Sequence, residues 1–168
     1  MKTYFAETEV RWSDLDANMH LANASYMNFT SFARIQYMRE LGISLENLRS
    51  WNIGPAILRE EFSFFKEAHE GQKIIISVTQ NGLSEQGELF EFQHNLYDKN
   101  TGTHLAQSRV LGVWFSMDQR KITVPPAEML DKLKQYIDFN SVKVLTMVDL
   151  KSLPAKPQNI DPKFFELC

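Results

Sequence analysis

Cysteine is nearly missing from this chain: the only one among 168 residues is Cys168, the last. A single thiol cannot close an internal disulfide, and a chain end is a poor seat for a positioned nucleophile. Long apolar runs are missing too, so no membrane span is expected. The opening Met1-Lys2-Thr3-Tyr4-Phe5-Ala6-Glu7 lacks the apolar core of a secretory signal, and the expected location is cytoplasmic. Positive charge is not in excess. A net charge of -3 leaves no basic footprint, so nucleic acid is not an expected partner. There is no glycine loop of the phosphate-cradling kind and no G-x-S-x-G elbow to carry a serine nucleophile. Internal repeats, linkers and low-complexity tracts are absent as well.

What is present has the balance of a globular protein, and the length suits one domain with a real core. We read residues 1–168 as a single unit, with a core over about 3–137 and a tail over 138–168. Tyr4 to Trp12 reads as a strand, with Phe5, Val10 and Trp12 interleaved by Thr and Glu. Tyr26, Phe29, Ala33, Tyr37 and Leu41 recur at helical spacing, which predicts a helix over 25–41. Phe32, Ile35 and Met38 widen its apolar stripe to most of the circumference. Asn23 or Ser25 can cap its start, and Gly42 stands where a terminating glycine belongs.

A helical turn is expected near Leu45–Leu48, and Gly54-Pro55 reads as punctuation. Four strands follow, over 57–66, 73–83, 89–97 and 104–115, with short loops at Ser84–Gly87 and Asp98–Gly102. Pro126 opens a second helix reaching about Ile137, and the proline-bearing tail is expected to wrap the body as an extended arm. A helix apolar nearly all round must be covered, and an antiparallel sheet with one apolar face can curl about it. The fold class is therefore α+β: a long central helix wrapped by a curled antiparallel sheet of about five strands, with a C-terminal helix and tail.

Chemistry-bearing residues concentrate between the first strand and the long helix. Asp14, Asp16, Asn18, His20 and Asn23 fall within ten residues, and such groups at a helix entrance can supply base, orienter and dipole for one polar reaction. The same residue types also cap turns and helices, which is the competing reading. Asp14-x-Asp16-x-Asn18 opens like a calcium loop, yet its sixth position is Met19 and its twelfth is Ser25. Asp14, Asp16 and His20 have no second His or Cys at ligand spacing, so no metal is expected. His94 lies on the apolar phase of its strand and reads as a satisfied core histidine.

The segment Arg11-Trp12-Ser13-Asp14-Leu15-Asp16-Ala17-Asn18-Met19-His20-Leu21-Ala22-Asn23-Ala24-Ser25-Tyr26 resembles the motif R-W-S-D-L-D-x-N-x-H-V-N-N-x-x-Y of plant acyl-acyl-carrier-protein thioesterases. Leu21 and Ala22 are the two departures. Together with the element order, this is similar to the hotdog fold of the 4-hydroxybenzoyl-CoA thioesterase-like family. The resemblance implies an acyl thioesterase acting on acyl-CoA or acyl-carrier-protein thioesters, with no cofactor beyond the coenzyme A of the substrate, and a homodimer or homotetramer. It implies Asp16 as general base or nucleophile, with Asn18 and His20 in its network. Backbone N–H groups around Ala22 to Tyr26 would then hold the oxyanion. Asn23, Ala24, Ser25, Tyr26 and Glu61 would border the substrate. A glutamate on the next strand completes the network in the plant enzymes, with Glu61 carried here and Glu60 and Glu67 as the other candidates. Asp14 reads as a loop stabiliser. The alternative is a non-catalytic acyl-thioester binding or scaffold protein on the same fold. A hotdog dehydratase is the third reading, but its signatures are not found.

Overall fold

The structure is a computed structural model that describes residues 3–135, 137, 142–152, 155 and 157–159. Five long elements of sheet form its frame: β1 (Tyr4–Glu9), β2 (Ile53–Phe64), β3 (Lys73–Ser84), β4 (Leu89–Asp98) and β5 (His104–Ser116). They pair antiparallel in the order β1-β3-β4-β5-β2. The short β6 (Lys121–Ile122) adds to β5, and β7 (Lys143–Leu145) lies parallel to β3. The long helix α1 (Asn23–Glu40) packs against the apolar face of this curled sheet. Its Tyr37 ring meets Tyr4 of β1 at 6.0 Å and Phe92 of β4 at 5.8 Å.

The first strand ends earlier than its pattern suggests. Trp12–Asp14 coils into one 3-10 turn. The Asp14 carboxylate accepts the Arg11 backbone N–H and both arms of its guanidinium, each at 2.9 Å. At the far end of α1 the chain turns on Gly42, whose φ of +70° suits glycine. The Gly42 N–H donates to the Arg39 carbonyl at 2.8 Å and the Ile43 N–H to the Met38 carbonyl at 2.9 Å, which is a Schellman ending.

α2 (Leu45–Ser50) then leads into β2, which already includes Gly54 and Pro55. The expected punctuation is not a break there because β2 is an edge strand, where proline's missing N–H can cost the ladder nothing.

Only one flank of α1 is covered. Tyr26, Phe29, Thr30, Ala33 and Tyr37 are buried, whereas Met27, Phe32 and Ile35 are exposed in a single chain. The broad apolar stripe exceeds what one curled sheet can cover. α3 (Ala127–Lys134) is shorter than expected and closes the core with Met129 and Leu133. It is moored on both sides. Lys132 Nζ donates to the Gly42 carbonyl at 3.1 Å, and Leu130 crowds the turn at Gly87. The tail is not only an extended arm: β7 joins the sheet, and α4 (Met147–Lys151) follows it. Residues 138–141, 153, 154, 156 and 160–168 of the expected arm lie outside the described residues.

Candidate active site

Between the 3-10 turn and α1 the backbone folds back on itself. Leu15 and Leu21 form an isolated antiparallel bridge, and the five residues between them make a tight loop. The Asp16 N–H donates to the His20 carbonyl at 2.8 Å, and Met19 takes the left-handed region at φ +61° to close the turn. The Asp16 carboxylate is part of this loop. Its Oδ1 accepts the backbone N–H of Asn18 at 2.8 Å and that of His20 at 3.3 Å. Oδ2 has no partner among the described residues. One oxygen is therefore clamped by the loop while the other is left for chemistry.

The start of α1 is fixed by backbone groups. Ala22 is the N-cap and supplies no side-chain cap. The expected cap at Asn23 or Ser25 is not made, because the Ser25 hydroxyl instead donates to the Asp14 carbonyl at 2.8 Å. The Ala22 N–H donates to the same carbonyl at 2.9 Å. The N–H groups of Ser25 and Tyr26 turn back onto the Ala22 carbonyl at 2.9 and 3.3 Å. Of the donors expected over 22–26, those of Asn23 and Ala24 alone remain unpaired among the described residues. They sit where a helix start carries partial positive charge.

Asp16, His20, Asn23 and Tyr26 line one open recess at this helix entrance. Phe64, Phe65, Lys66 and Glu67, from the end of β2 and the connection after it, line it as well. Tyr26 is buried, stacks edge-on against Phe64 at 5.1 Å and reaches the Lys66 carbonyl at 3.4 Å. Burial, then the nearby Glu67 charge, raises its phenol pKa, so it serves as wall rather than proton donor. Ala24 is exposed and offers its backbone N–H; Ser25 is buried beneath the helix start. Asn18 is exposed and does not line the recess, and what it offers Asp16 is its backbone N–H.

The glutamates separate cleanly. Glu61 does not line the recess; its side chain is solvent-facing and lies 3.6 Å from Arg59. Alternate strand residues share a face, so the inward Phe62 carries Glu60 in and turns Glu61 out. Glu60 is buried among α1 and β5: its Oε1 accepts from Thr30 Oγ1, Arg34 Nη1 and Ser108 Oγ at 3.1, 3.2 and 3.1 Å. Glu67, in the connection after β2, is the glutamate at the recess. Asp14 is engaged by Arg11, whose hydrogen bond holds its carboxyl below the usual range, so it stabilises the loop.

Two features escaped sequence reasoning. His69 stands beside His20, with ring centroids 5.1 Å apart. Distance along the chain hid that pairing. Second, an apolar cavity of about 230 Å³ lies beside the second half of α1, lined by Ile35, Met38, Pro55, Ile57, Phe90 and Trp114 among others. His94 is a core histidine as expected, but it is not satisfied: neither ring nitrogen has a partner among the described residues.

Residues 10–133 match the family model described as the thioesterase-like superfamily. No curated protein is detectably similar in sequence. Among solved structures, a 1,4-dihydroxy-2-naphthoyl-CoA thioesterase from Synechocystis superposes with a TM-score of 0.71 at 17% identity, over 82% of this chain and 98% of that one. A Staphylococcus aureus protein in complex with CoA gives 0.75 at 16% identity, over 93% and 96%. A DHNA-CoA thioesterase from Staphylococcus aureus gives 0.70 at 15% identity, over 80% and 93%. At these identities the likeness to solved structures is one of fold.

Proposed function

The chain belongs to the thioesterase-like superfamily, a thioester hydrolase by that membership, and we propose that it cleaves acyl-CoA or acyl-carrier-protein thioesters to a free acid and a thiol. The observation that carries this reading is the recess itself. A half-buried carboxylate with one free oxygen, Asp16, and the first residue of a helix whose start has unpaired N–H groups, Asn23, line it together.

The chemistry follows from what each group can do. The thioester carbonyl oxygen sits toward the Asn23 and Ala24 N–H groups, which need no reorganisation to receive the charge of a tetrahedral oxyanion. Asp16, oriented through Oδ1, takes a proton from water as the water oxygen bonds to the carbonyl carbon. The carbon–sulfur bond then breaks, and the thiolate leaves and is protonated. His20 lines the same recess, within reach of the leaving group, and can hand a proton on to it. The acyl group occupies the apolar cavity beside α1.

The exposed apolar flank of α1 and the open edge of β2 support assembly with a second copy. No described helix is long and apolar enough to cross a membrane, and we place the protein in the cytoplasm. Thiol release from a panel of acyl-CoA and acyl-carrier-protein substrates of graded length tests the reading. Release from at least one substrate is expected. Saturable binding without release from any would replace it with the non-catalytic binding protein.

A further inference from the structure

We propose that His20, Glu67 and His69 form a binding site for a divalent transition metal of the zinc class at the mouth of the recess. One ligand atom from each lies within 4.8 Å of the others. Two neutral imidazoles and one carboxylate are a donor set that suits zinc, and three protein ligands leave a fourth position open.

The backbone holds the three residues in place. The Leu21 N–H donates to the Ala68 carbonyl at 2.8 Å, and Ala68 is fully buried. That one bond joins the residue after His20 to the residue between Glu67 and His69. The His20 backbone is further held by its two hydrogen bonds with Asp16, and the His69 N–H by Gln72 Oε1 at 2.6 Å. Two rigid loops thus bring three donors to one point, and neither loop contains enough ligands alone.

The remaining adjustment is small. Tetrahedral zinc with bonds of about 2.0–2.1 Å sets its ligand atoms roughly 3.4 Å apart. His69 Nε2 and Glu67 Oε1 are 3.9 Å apart, and both side chains are more than half exposed, so rotation about their own bonds can close the gap. Lys66 borders the recess and opposes a cation, which limits affinity without blocking the donors.

Calorimetric titration of the whole chain with zinc chloride, in a non-chelating buffer at neutral pH, reads the site directly. One-to-one binding is expected, weakened more than about tenfold in His69→Ala and unchanged in His104→Ala, whose ring lies against Phe65 and Tyr97 instead. Cobalt(II) in place of zinc should give visible bands of a four-coordinate site, lost in the same variant. His69 is exposed and its side chain holds no element together, so the variant folds; circular dichroism checks this. No zinc binding by the wild type, or equal binding by His69→Ala, overturns the proposal. Binding is read without turnover, so the result stands apart from the hydrolase reading.

Discussion

Arg34 of α1 and Glu60 of β2 make an ion pair at 3.2 Å, with only 13% and 8% of their side chains exposed. Thr30 and Ser108 donate to the same carboxylate oxygen, so the pair is the centre of a polar knot inside an apolar interface. Removing one partner leaves the other charge buried and unpaired. Glu60→Ala should therefore destabilise the protein by about 3–5 kcal/mol, whereas the double replacement Arg34→Met with Glu60→Leu should recover most of that loss. Urea unfolding of the three proteins measures it. A single variant as stable as the wild type would show that the pair is not holding α1 to the sheet.

Asp16 has a structural and a chemical task, and two substitutions separate them. Asparagine keeps an oxygen for the Asn18 and His20 N–H groups but cannot serve as base. Asp16→Asn should lower kcat by about 10²–10⁴ with an unchanged Tm, while Asp16→Ala should lower both. Thiol-release kinetics beside thermal melts give the comparison. An asparagine variant within twofold of wild-type turnover would remove Asp16 from the reaction.

His94 predicts a pH dependence of stability. Burial, and secondarily the charge of Arg34, pushes its imidazole from 6.5 down to about 3. Between these values the unfolded chain holds a proton that the folded chain does not. Stability then falls as pH drops from about 6.5 toward 3, by up to about 1.4 kcal/mol per pH unit. His94→Leu removes this dependence and two buried unpaired nitrogens. The variant should match or exceed the wild type at neutral pH and gain on it progressively at pH 6, 5 and 4. Urea midpoints at each pH read the difference; a constant offset would contradict it.

Gly112 of β5 lies close against the Phe90 ring. A Cβ there would lie 2.4 Å from the Phe90 ring and 2.9 Å from the Ala56 carbonyl oxygen. Phe90 is core and also walls the apolar cavity, so it has little freedom to yield. Gly112→Ala should cost about 1–3 kcal/mol, read by denaturant midpoint. It should also change the preferred acyl length in the substrate panel. An unaltered profile would separate the cavity from the acyl group.

Periodicity made α1 legible to within two residues at either end, because Tyr26, Phe29, Ala33 and Tyr37 carry the stripe that packs. Gly42 marked its end for a reason intrinsic to glycine. The loop carrying Asp16 was legible as chemistry because its polar residues are adjacent in sequence. What depended on distant pairing was not. The choice among Glu60, Glu61 and Glu67 needed the phase of Phe62 and Phe64 on β2. Ala22 could not be read as the N-cap, since the Ser25 hydroxyl goes to the Asp14 carbonyl, eleven residues back, and not to its own helix. His69 reaches His20 through one backbone bond between remote loops, which no spacing rule encodes.

The mooring of α3 has a consequence for shortened versions of this protein. Every side chain of the recess precedes Ala127, so a product ending before that residue would retain the full chemical inventory. It would also leave the sockets of Met129 and Leu133 open to water and free the turn after α1 from Lys132. Such a fragment carries the reactive groups on a scaffold that aggregates or is degraded, and the smallest working piece must run through Leu133.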